Sequence, residues 1–148
     1  MNRSDAMSLT MALLTATTVL VDDIHSGVVA RGFTDLRPTH GFVFSRLSAA
    51  GGTVTEIAEH LGVTRQAASQ IVDELAAKGY VERRPHPADA RARLVVLTAR
   101  GRRCTRAAEE AIVDALESWQ DILGERRLVA MRDELARLAP GGPLRPTW

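Results

Sequence analysis

The sequence predicts a mostly α-helical fold with one small β-hairpin, and three observations lead to this prediction. Two short threonine-capped helices, joined by a tight turn at Gly62, follow one another over residues 53–75. Two strand-like segments then flank an arginine-bearing loop. Apolar residues recur at helical spacing near both ends of the chain. The order and spacing of these pieces indicate a winged helix-turn-helix with a two-stranded β wing, flanked by N- and C-terminal helices.

The first predicted element is a long amphipathic helix from about Ser8 to Arg31, which Gly32 ends. A second helix begins near Arg37, since Pro38 suits a first helical turn, and Gly51-Gly52 ends it. The inward-facing residues expected on these two helices are Leu9, Leu13, Ala16, Leu20, Ile24 and Val28, then Phe42 or Val43, Phe44 and Leu47.

The third and fourth helices carry explicit start signals. Thr53 and Glu56 have the spacing of a capping box, in which each side chain accepts a hydrogen bond from the other residue's backbone. Thr64 caps the next helix, and Gly79 ends it. The residues predicted to face inward are Ile57, Ala58 and Leu61, then Ala68, Ile71, Val72 and Leu75.

Two strands, residues 80–84 and 93–97, are predicted to form the wing. Thr98 then caps a long helix that Gly124 breaks, and a last helix carries apolar residues from Leu128 to Leu138. The segment 140–143, rich in proline and glycine, is expected to end the ordered structure.

The whole chain, 1–148, is predicted to be one domain, with a winged-helix part over about 36–100. The helices over about 5–32 and 101–140 carry more apolar surface than a compact winged domain covers, so they are expected to form a homodimer. Two-fold symmetry also doubles the number of base pairs that one short helix can contact.

Composition is that of a soluble globular protein, at 45% hydrophobic and 25% charged residues. No apolar run is expected to approach the length of a membrane span, and no export signal is visible, which favours a cytoplasmic protein without a membrane partner. The net charge of +1 is unevenly distributed. Residues 64–106 contain ten basic and four acidic side chains, a net +6, so the remainder carries −5. Such a basic segment is typical of a phosphate binder.

The outward face of the fourth helix has the chemistry of a recognition helix. Arginine and glutamine pair with base edges in the major groove, small residues let the backbone approach the groove, and a helix N-terminus attracts phosphate. The predicted DNA-binding residues of this helix are Thr64, Arg65, Gln66, Ala67, Ser69 and Gln70.

In the wing, Arg91 is expected to enter the minor groove, with Asp89 holding its guanidinium by a charge-assisted bond. Arg84 and Arg93 are further candidates for DNA contact. The alternative for the wing loop is a flexible, solvated segment, and for Arg93 this alternative is preferred because strand alternation leaves its direction open. For Arg83 or Arg84 the alternative to DNA contact is an ion pair with Asp73.

Metal and catalytic sites are not indicated. The four histidines have no cysteine or carboxylate at ligand spacing, and no phosphate loop or nucleophile–base arrangement is visible, so neither a cofactor nor enzymatic activity is predicted. Cys104 lies among Arg102, Arg103 and Arg106, which would lower its pKa if it were exposed and allow a redox sensor. A structural cysteine, at the surface or half-buried, is the alternative.

Several segments together resemble the MarR family of bacterial transcription regulators: residues 36–40 (LRPTH), 79–83 (GYVER), 87–91 (PADAR), 97–101 (LTARG), 117–119 (ESW) and 123–124 (LG). The resemblance implies a six-helix protomer with a wing, a homodimer and a pseudo-palindromic operator. It also implies release of DNA by a small aromatic or anionic ligand, or sensing of oxidants or metals.

The chain departs from the family pattern at two points. Ala90 stands where a second wing arginine is common, which leaves Arg91 alone. The first helix lacks the reactive cysteine of the peroxide-sensing branch, so Cys104 does not inherit that role.

If the protein binds an effector, His40, Phe44 and Trp119 are candidates to line its cavity, although each could equally belong to the core.

The function predicted from the sequence is therefore a sequence-specific DNA-binding regulator, a ligand-responsive repressor that binds double-stranded DNA as a homodimer. Two alternatives remain open at this point: a winged-helix protein-interaction module without DNA binding, and a redox-responsive regulator that uses Cys104. The retained arginines and glutamines at residues 65, 66, 70 and 91 argue against the interaction module.

Overall fold

Over residues 1–139, which the computed structural model describes, six helices surround one antiparallel pair of strands, and this confirms the predicted fold class. The predicted end of order at residues 140–143 lies outside these residues. The elements in chain order are α1 (Arg3–Ala30), α2 (Pro38–Leu47), α3 (Val54–Leu61), α4 (Arg65–Ala77), β1 (Val81–Pro85), β2 (Arg93–Leu97), α5 (Ala99–Leu123) and α6 (Glu125–Leu138).

The first helix begins earlier than the sequence pattern indicated. Asn2 Oδ1 accepts a 2.8 Å hydrogen bond from the backbone N–H of Asp5, and this cap starts α1 at Arg3 rather than near Ser8. The apolar spacing did not reveal this start, because the first turn of α1 is largely polar and exposed.

Helices α1 and α5 pack closely against each other. A Cβ atom on Gly27 would lie 2.7 Å from the Cβ of Ala111, so only glycine permits this approach without a shift. Arg31, just after α1, forms ion pairs with Glu110 at 3.1 Å and Asp114 at 2.5 Å on α5. The two helices therefore form one unit that carries the N- and C-terminal parts of the chain.

The first half of α1 leaves large apolar side chains uncovered within one protomer. Leu9 and Leu13, expected to face inward, are 50% and 46% exposed. By length and composition α1 is able to cross a membrane, with a mean hydropathy of 1.4 over an 18-residue window. The expectation that no apolar run approaches that length was therefore wrong, because alanine and threonine fill the positions between the larger apolar residues. A helix buried between two protein copies meets the same criterion.

Helices α3 and α4 form the predicted helix-turn-helix. The backbone N–H of Thr53 donates to Glu56 Oε2 at 2.7 Å, and the N–H of Glu56 donates to Thr53 Oγ1 at 3.2 Å, which confirms the capping box. Gly62 ends α3 with a positive φ of 63°, a conformation that glycine adopts without strain. Thr64 Oγ1 then accepts the N–H of Ala67 and starts α4.

The wing is the predicted hairpin, shifted by one residue, since β1 runs from Val81 to Pro85 opposite β2. Gly52 forms an isolated antiparallel β-bridge with Val95 of β2. Its N–H donates to Val95 O at 3.0 Å, and its carbonyl accepts from Val95 N at 2.8 Å. Gly52 was expected only to end the second helix. In the structure α2 already ends at Leu47, and Gly52 ties the turn after it to the wing.

Candidate nucleic-acid interface and effector cavity

The buried face of α4 determines which side chains point to solvent. Ala68, Val72 and Leu75 are completely buried in the core, whereas Arg65, Gln66 and Gln70 are exposed. Ala67 and Ser69 are half-buried between these two faces. The outward-facing side chains are thus those predicted from the sequence, and their amide and guanidinium groups are available to base edges.

The N-terminus of α4 adds backbone donors to this surface. Thr64 is exposed, and its hydroxyl occupies only the N–H of Ala67. The N–H groups of Arg65 and Gln66 have no partner among residues 1–139, as expected in the first turn of a helix. Together with the helix dipole, they form a phosphate-compatible end on the exposed side of the helix-turn-helix.

The tip of the wing is ordered by Asp89, but not in the way predicted. Asp89 Oδ1 accepts a 2.9 Å hydrogen bond from the backbone N–H of Arg91, not from its guanidinium, because an aspartate in a turn reaches the backbone two residues on. The backbone N–H of Ala92 donates to Asp89 O at 3.1 Å and closes the turn. Arg91 is exposed, and within the described residues its guanidinium has no ion-pair partner.

The other wing arginines divide into two groups. Arg83 pairs with Asp73 of α4 at 2.7 Å, one of the two alternatives left open, and this pair ties the wing to α4. Arg84 pairs instead with Glu82 on its own strand, its Nε donating at 2.7 Å. Arg93 is exposed opposite Pro85 and makes no ion pair within residues 1–139.

A cluster at the base of the wing, which the sequence did not indicate, joins the winged part to the terminal helices. The hydroxyl of Tyr80, which is fully buried, donates to Asp35 Oδ1 at 2.6 Å. The guanidinium of Arg100 lies 4.3 Å from the centre of the Tyr80 ring and also pairs with Asp35 at 3.2 Å. The hydrogen bond from Tyr80 is the main reason that the pKa of Asp35 is lowered, while burial and Asp35 raise the pKa of Tyr80 to about 12.

His40 belongs to a second cluster and does not line the cavity, which corrects its predicted role. It is fully buried, and its Nδ1 accepts a 3.0 Å hydrogen bond from the backbone N–H of Arg37 at the start of α2. In the neutral ring Nε2 therefore carries the proton and faces Glu74 of α4 at 3.4 Å. Burial lowers the pKa of His40, which favours this neutral form. Its role is to start α2 and to connect α2 with α4.

Glu74 is the acceptor at the centre of this second cluster. Lys78 Nζ donates to it at 2.7 Å, and the guanidinium of Arg37 donates to its other oxygen. These hydrogen bonds, that from Lys78 first, lower the pKa of Glu74 to about 2. Lys78 Nζ also donates to the backbone carbonyl of Asp35 at 2.6 Å, so the two clusters are joined.

A cavity of about 250 Å³ lies where α1, α2 and α5 meet. Its wall is predominantly apolar, with few polar groups. The lining residues are Val21, Ile24, His25 and Val28 of α1, Leu36 and Arg37 before α2, Pro38, Gly41, Phe42, Phe44 and Ser45 of α2, and Cys104, Ala108 and Ile112 of α5.

Of the three lining residues predicted from the sequence, the structure places only Phe44 in the cavity wall. Trp119 lies half-buried farther along α5, two turns beyond Ile112, because α5 extends well past the cavity. The ring of Phe44 also packs on that of Tyr80, with 5.6 Å between centroids. Phe44 therefore contacts both the cavity and the base of the wing.

Cys104 does not have the environment of a reactive thiol. It is 1% exposed, and burial raises its pKa to about 11, the opposite of the lowering expected from the neighbouring arginines. The reason is orientation: Arg102, Arg103 and Arg106 are exposed on α5, whereas the cysteine turns toward the cavity. The structural alternative for Cys104 fits this placement, although the side chain is fully rather than half-buried.

Comparison with known proteins agrees with this architecture. The profile of the MarR family matches residues 34–92, which contain the helix-turn-helix, β1 and the loop at the tip of the wing. An uncharacterized protein of Mycobacterium tuberculosis is 35% identical over 86 residues. That match covers 58% of this chain and 60% of the relative, less than two thirds of its length.

Solved structures share the fold over nearly the whole chain. RV1404 from Mycobacterium tuberculosis is 26% identical, with a TM-score of 0.77 and 97% of each chain covered. The transcriptional repressor CouR, solved bound to a 23-mer DNA duplex, is 27% identical with a TM-score of 0.75, covering 94% of this chain and 98% of CouR. A structure of CouR from Rhodococcus jostii RHA1 bound to p-coumaroyl-CoA has the same fold, with 23% identity, a TM-score of 0.70 and 91% and 92% of the two chains covered.

The matched segment holds the helix-turn-helix, β1 and the loop at the wing tip, and the structural matches to RV1404 and CouR extend over the terminal helices as well. Over residues 34–92 this chain is similar to the MarR family, and its fold is that of solved MarR-family structures.

Proposed function

We propose that this protein is a DNA-binding transcriptional regulator that acts as a homodimer on a pseudo-palindromic operator. The observation that carries the proposal is the exposed polar face of α4, with Arg65, Gln66 and Gln70, held beside the wing by the Asp73–Arg83 ion pair. A helix of this kind reads the major groove while a wing arginine contacts the minor groove. CouR, which shares the fold, is a repressor solved on DNA, and this supports repression as the mode of action.

In this proposal, the DNA-binding surface consists of the predicted residues of α4, from Thr64 to Gln70, together with Arg91 and Arg93. Arg84 contributes after release from Glu82, since both groups are exposed and such a pair is weak. Asp89 acts indirectly, by fixing the backbone at Arg91.

The homodimer is proposed to form through the long terminal helices. The uncovered apolar side chains of α1, including Leu9 and Leu13, and those of α6, including Leu135 at 43% exposure, need a partner surface. A second copy of the chain supplies it symmetrically and places two α4 helices on one face for two half-sites. The single domain then has two tasks. DNA binding belongs to the winged part over about 36–100, and dimerisation belongs to the helical parts over about 5–32 and 101–140.

We further propose that a small effector enters the cavity between α1, α2 and α5 and changes the affinity for DNA. Ligand binding releases DNA only if the ligand prefers the arrangement of the two α4 helices that does not fit the operator. The contact of Phe44 with both the cavity wall and Tyr80 supports such coupling. The protein is proposed to act in the cytoplasm and to catalyse no reaction.

The test is a titration of the protein, followed by fluorescence anisotropy, with DNA fragments from the region beside its own gene. We expect one fragment to bind at least about a thousandfold more tightly than a scrambled duplex, the usual margin of a specific regulator. If every fragment bound as weakly as the scrambled duplex, the recognition-helix proposal would fail and an interaction module would be favoured.

A further inference from the structure

The face of the wing that lies toward α4 carries two arginines with different surroundings. Arg83 lies directly opposite the buried Val95 of β2, so the two side chains share a face of the hairpin. Arg93 is two residues before Val95 on the same strand, and side chains two residues apart also share a face. Arg83 pairs with Asp73 of α4 at 2.7 Å, whereas Arg93 makes no ion pair in the described part of the chain. One cation of this face is neutralised and the other is available.

The ion pair between Asp73 and Arg83 lies close to the exposed polar face of α4. Asp73 follows Gln70 by three residues, a rise of about 4.5 Å along the helix axis. The chain reverses just after α4, where the backbone N–H of Tyr80 donates to Leu75 O at 2.9 Å, and β1 then runs back beside the helix. The pair therefore bridges the cleft between α4 and the wing, where a DNA strand passes when α4 occupies the major groove and the wing the minor groove.

The charges of this pair determine what the cleft presents to DNA. An unpaired carboxylate at this distance would repel phosphates, and an unpaired guanidinium would bind them and release counterions. Paired, the two charges cancel. The side chains of Asp73 and Arg83 are 62% and 33% exposed, and a pair so open to solvent adds little to the stability of the fold. Its main effect is thus on the charge and the spacing of the DNA-binding surface.

We propose that Asp73 is a specificity-determining residue that lowers the affinity for DNA other than the operator. Its carboxylate keeps the guanidinium of Arg83 away from phosphates, which are present in every sequence, and the ion pair fixes the distance between the wing and α4. A fixed distance favours only the complex in which α4 and the wing contact their grooves together. The inference rests on the proposed function, since it concerns the same DNA-binding surface.

Anisotropy titrations with an operator and a scrambled duplex, over a range of salt concentrations, test the role of Asp73. Asp73→Asn should bind the scrambled duplex about fivefold more tightly near about 0.15 M salt and steepen its salt slope by about 0.9, the contribution of one phosphate contact. The gain on the operator should be smaller, because the tie between wing and α4 is lost, and the ratio of the two affinities should therefore fall.

Two further variants separate the withheld charge from a merely structural pair. Arg83→Gln leaves an unpaired carboxylate beside the DNA and should weaken binding to both duplexes. The double variant with Asp73→Asn and Arg83→Gln should return the affinity for the scrambled duplex to that of the unmodified protein. Asp133→Asn on α6, which frees Arg132 from an exposed pair, is the matched control and should change neither affinity nor salt slope. Circular dichroism checks the folding of each variant.

Three results would overturn the inference. If Asp73→Asn and Arg83→Gln weakened binding alike, the pair would have only a structural role. If Asp73→Asn increased the affinity for both duplexes equally, the residue would not affect specificity. If Asp73→Asn relaxed the preference at one base pair without changing the salt slope, Asp73 would contact a base directly.

The scrambled duplex separates this inference from the proposed function, because its titration requires no operator. If the unmodified protein selects an operator but the variants bind the scrambled duplex with unchanged affinity and slope, the inference fails and the proposed function is retained. If no fragment is preferred while the variants keep the expected order on the scrambled duplex, the proposed operator function fails and the withholding of the Arg83 charge is retained.

Discussion

The hydroxyl of Tyr80 donates a 2.6 Å hydrogen bond to Asp35, and this contact joins the base of the wing to the segment between α1 and α2. Because Asp35 also pairs with Arg100 at the start of α5, three parts of the chain meet at one carboxylate. Movement of the terminal helices relative to the wing must therefore deform or break this cluster.

Tyr80→Phe should destabilise the protein by about 2 kcal/mol, the magnitude typical of a hydrogen bond to a charged group. The ring stays in place against Phe44, so packing changes little. Urea unfolding at fixed protein concentration measures the effect, and a double-mutant cycle with Asp35→Ala measures the coupling. Strictly additive effects of the two substitutions would show that the two side chains do not interact.

Stability should fall in acid partly because of Glu74. Its pKa is about 2 in the folded chain and near 4.5 when unfolded, so the unfolded state binds more protons between these values. The stability that Glu74 contributes is thus complete above about pH 4.5 and is lost as the pH falls toward 2. We expect Glu74→Gln to flatten this part of the pH profile in urea unfolding, and an unchanged slope would contradict the assignment.

Arg91→Ala should weaken binding to every DNA sequence by about 1–2 kcal/mol and reduce the salt slope by about one. The reason is that its guanidinium is exposed at the wing tip, where the Asp89 turn fixes the backbone of Arg91. Anisotropy titrations over a range of salt concentrations measure both quantities. Arg132→Ala on α6, which removes an exposed arginine paired with Asp133, is the matched control and should change neither.

Gln66→Ala and Gln70→Ala should relax the sequence preference without a comparable loss of nonspecific affinity. Both side chains are exposed on α4, where a bidentate contact with a base is worth about 1–3 kcal/mol of discrimination. Selection from a randomised operator library, repeated with each variant, shows which base positions lose their preference. If both variants selected the same sequence as the unmodified protein, these two residues would not be base-contacting residues.

The protein should be a dimer at micromolar concentration, because α1 exposes Leu9 and Leu13 within one protomer. Light scattering should give about twice the protomer mass of 16.1 kDa. Introducing charge through Leu9→Glu with Leu13→Glu should shift the protein to the monomer, since burying two unpaired carboxylates is costly. Thr55→Glu, an exposed change on α3, should leave the dimer intact; a dimer in all three proteins would place the interface elsewhere.

The elements of this fold were predictable because their signals are local. Thr53, Thr64 and Thr98 each accept a backbone N–H three residues on, and Gly62 and Gly124 end helices with a positive φ. Such caps and turns involve only neighbouring residues, so the amino-acid sequence alone determined the helix-turn-helix, the wing and the outward face of α4. The start of α1 was missed because its cap at Asn2 precedes the apolar periodicity.

The roles of His40, Cys104 and Phe44 depended on tertiary packing. His40 caps α2 and meets Glu74, which is 34 residues away along the chain, and the pKa of Cys104 is raised by burial among helices that its own neighbours do not reveal. The burial of a side chain, the shift of its pKa and its place in a cavity wall depend on segments that are distant in the sequence. Helical spacing shows only that a residue faces inward, not which residues it contacts there. The sequence by itself therefore determined the elements and the exposed face of α4, whereas the packing of α1, α2 and α5 decided which inward residues became cavity wall, cap or buried thiol.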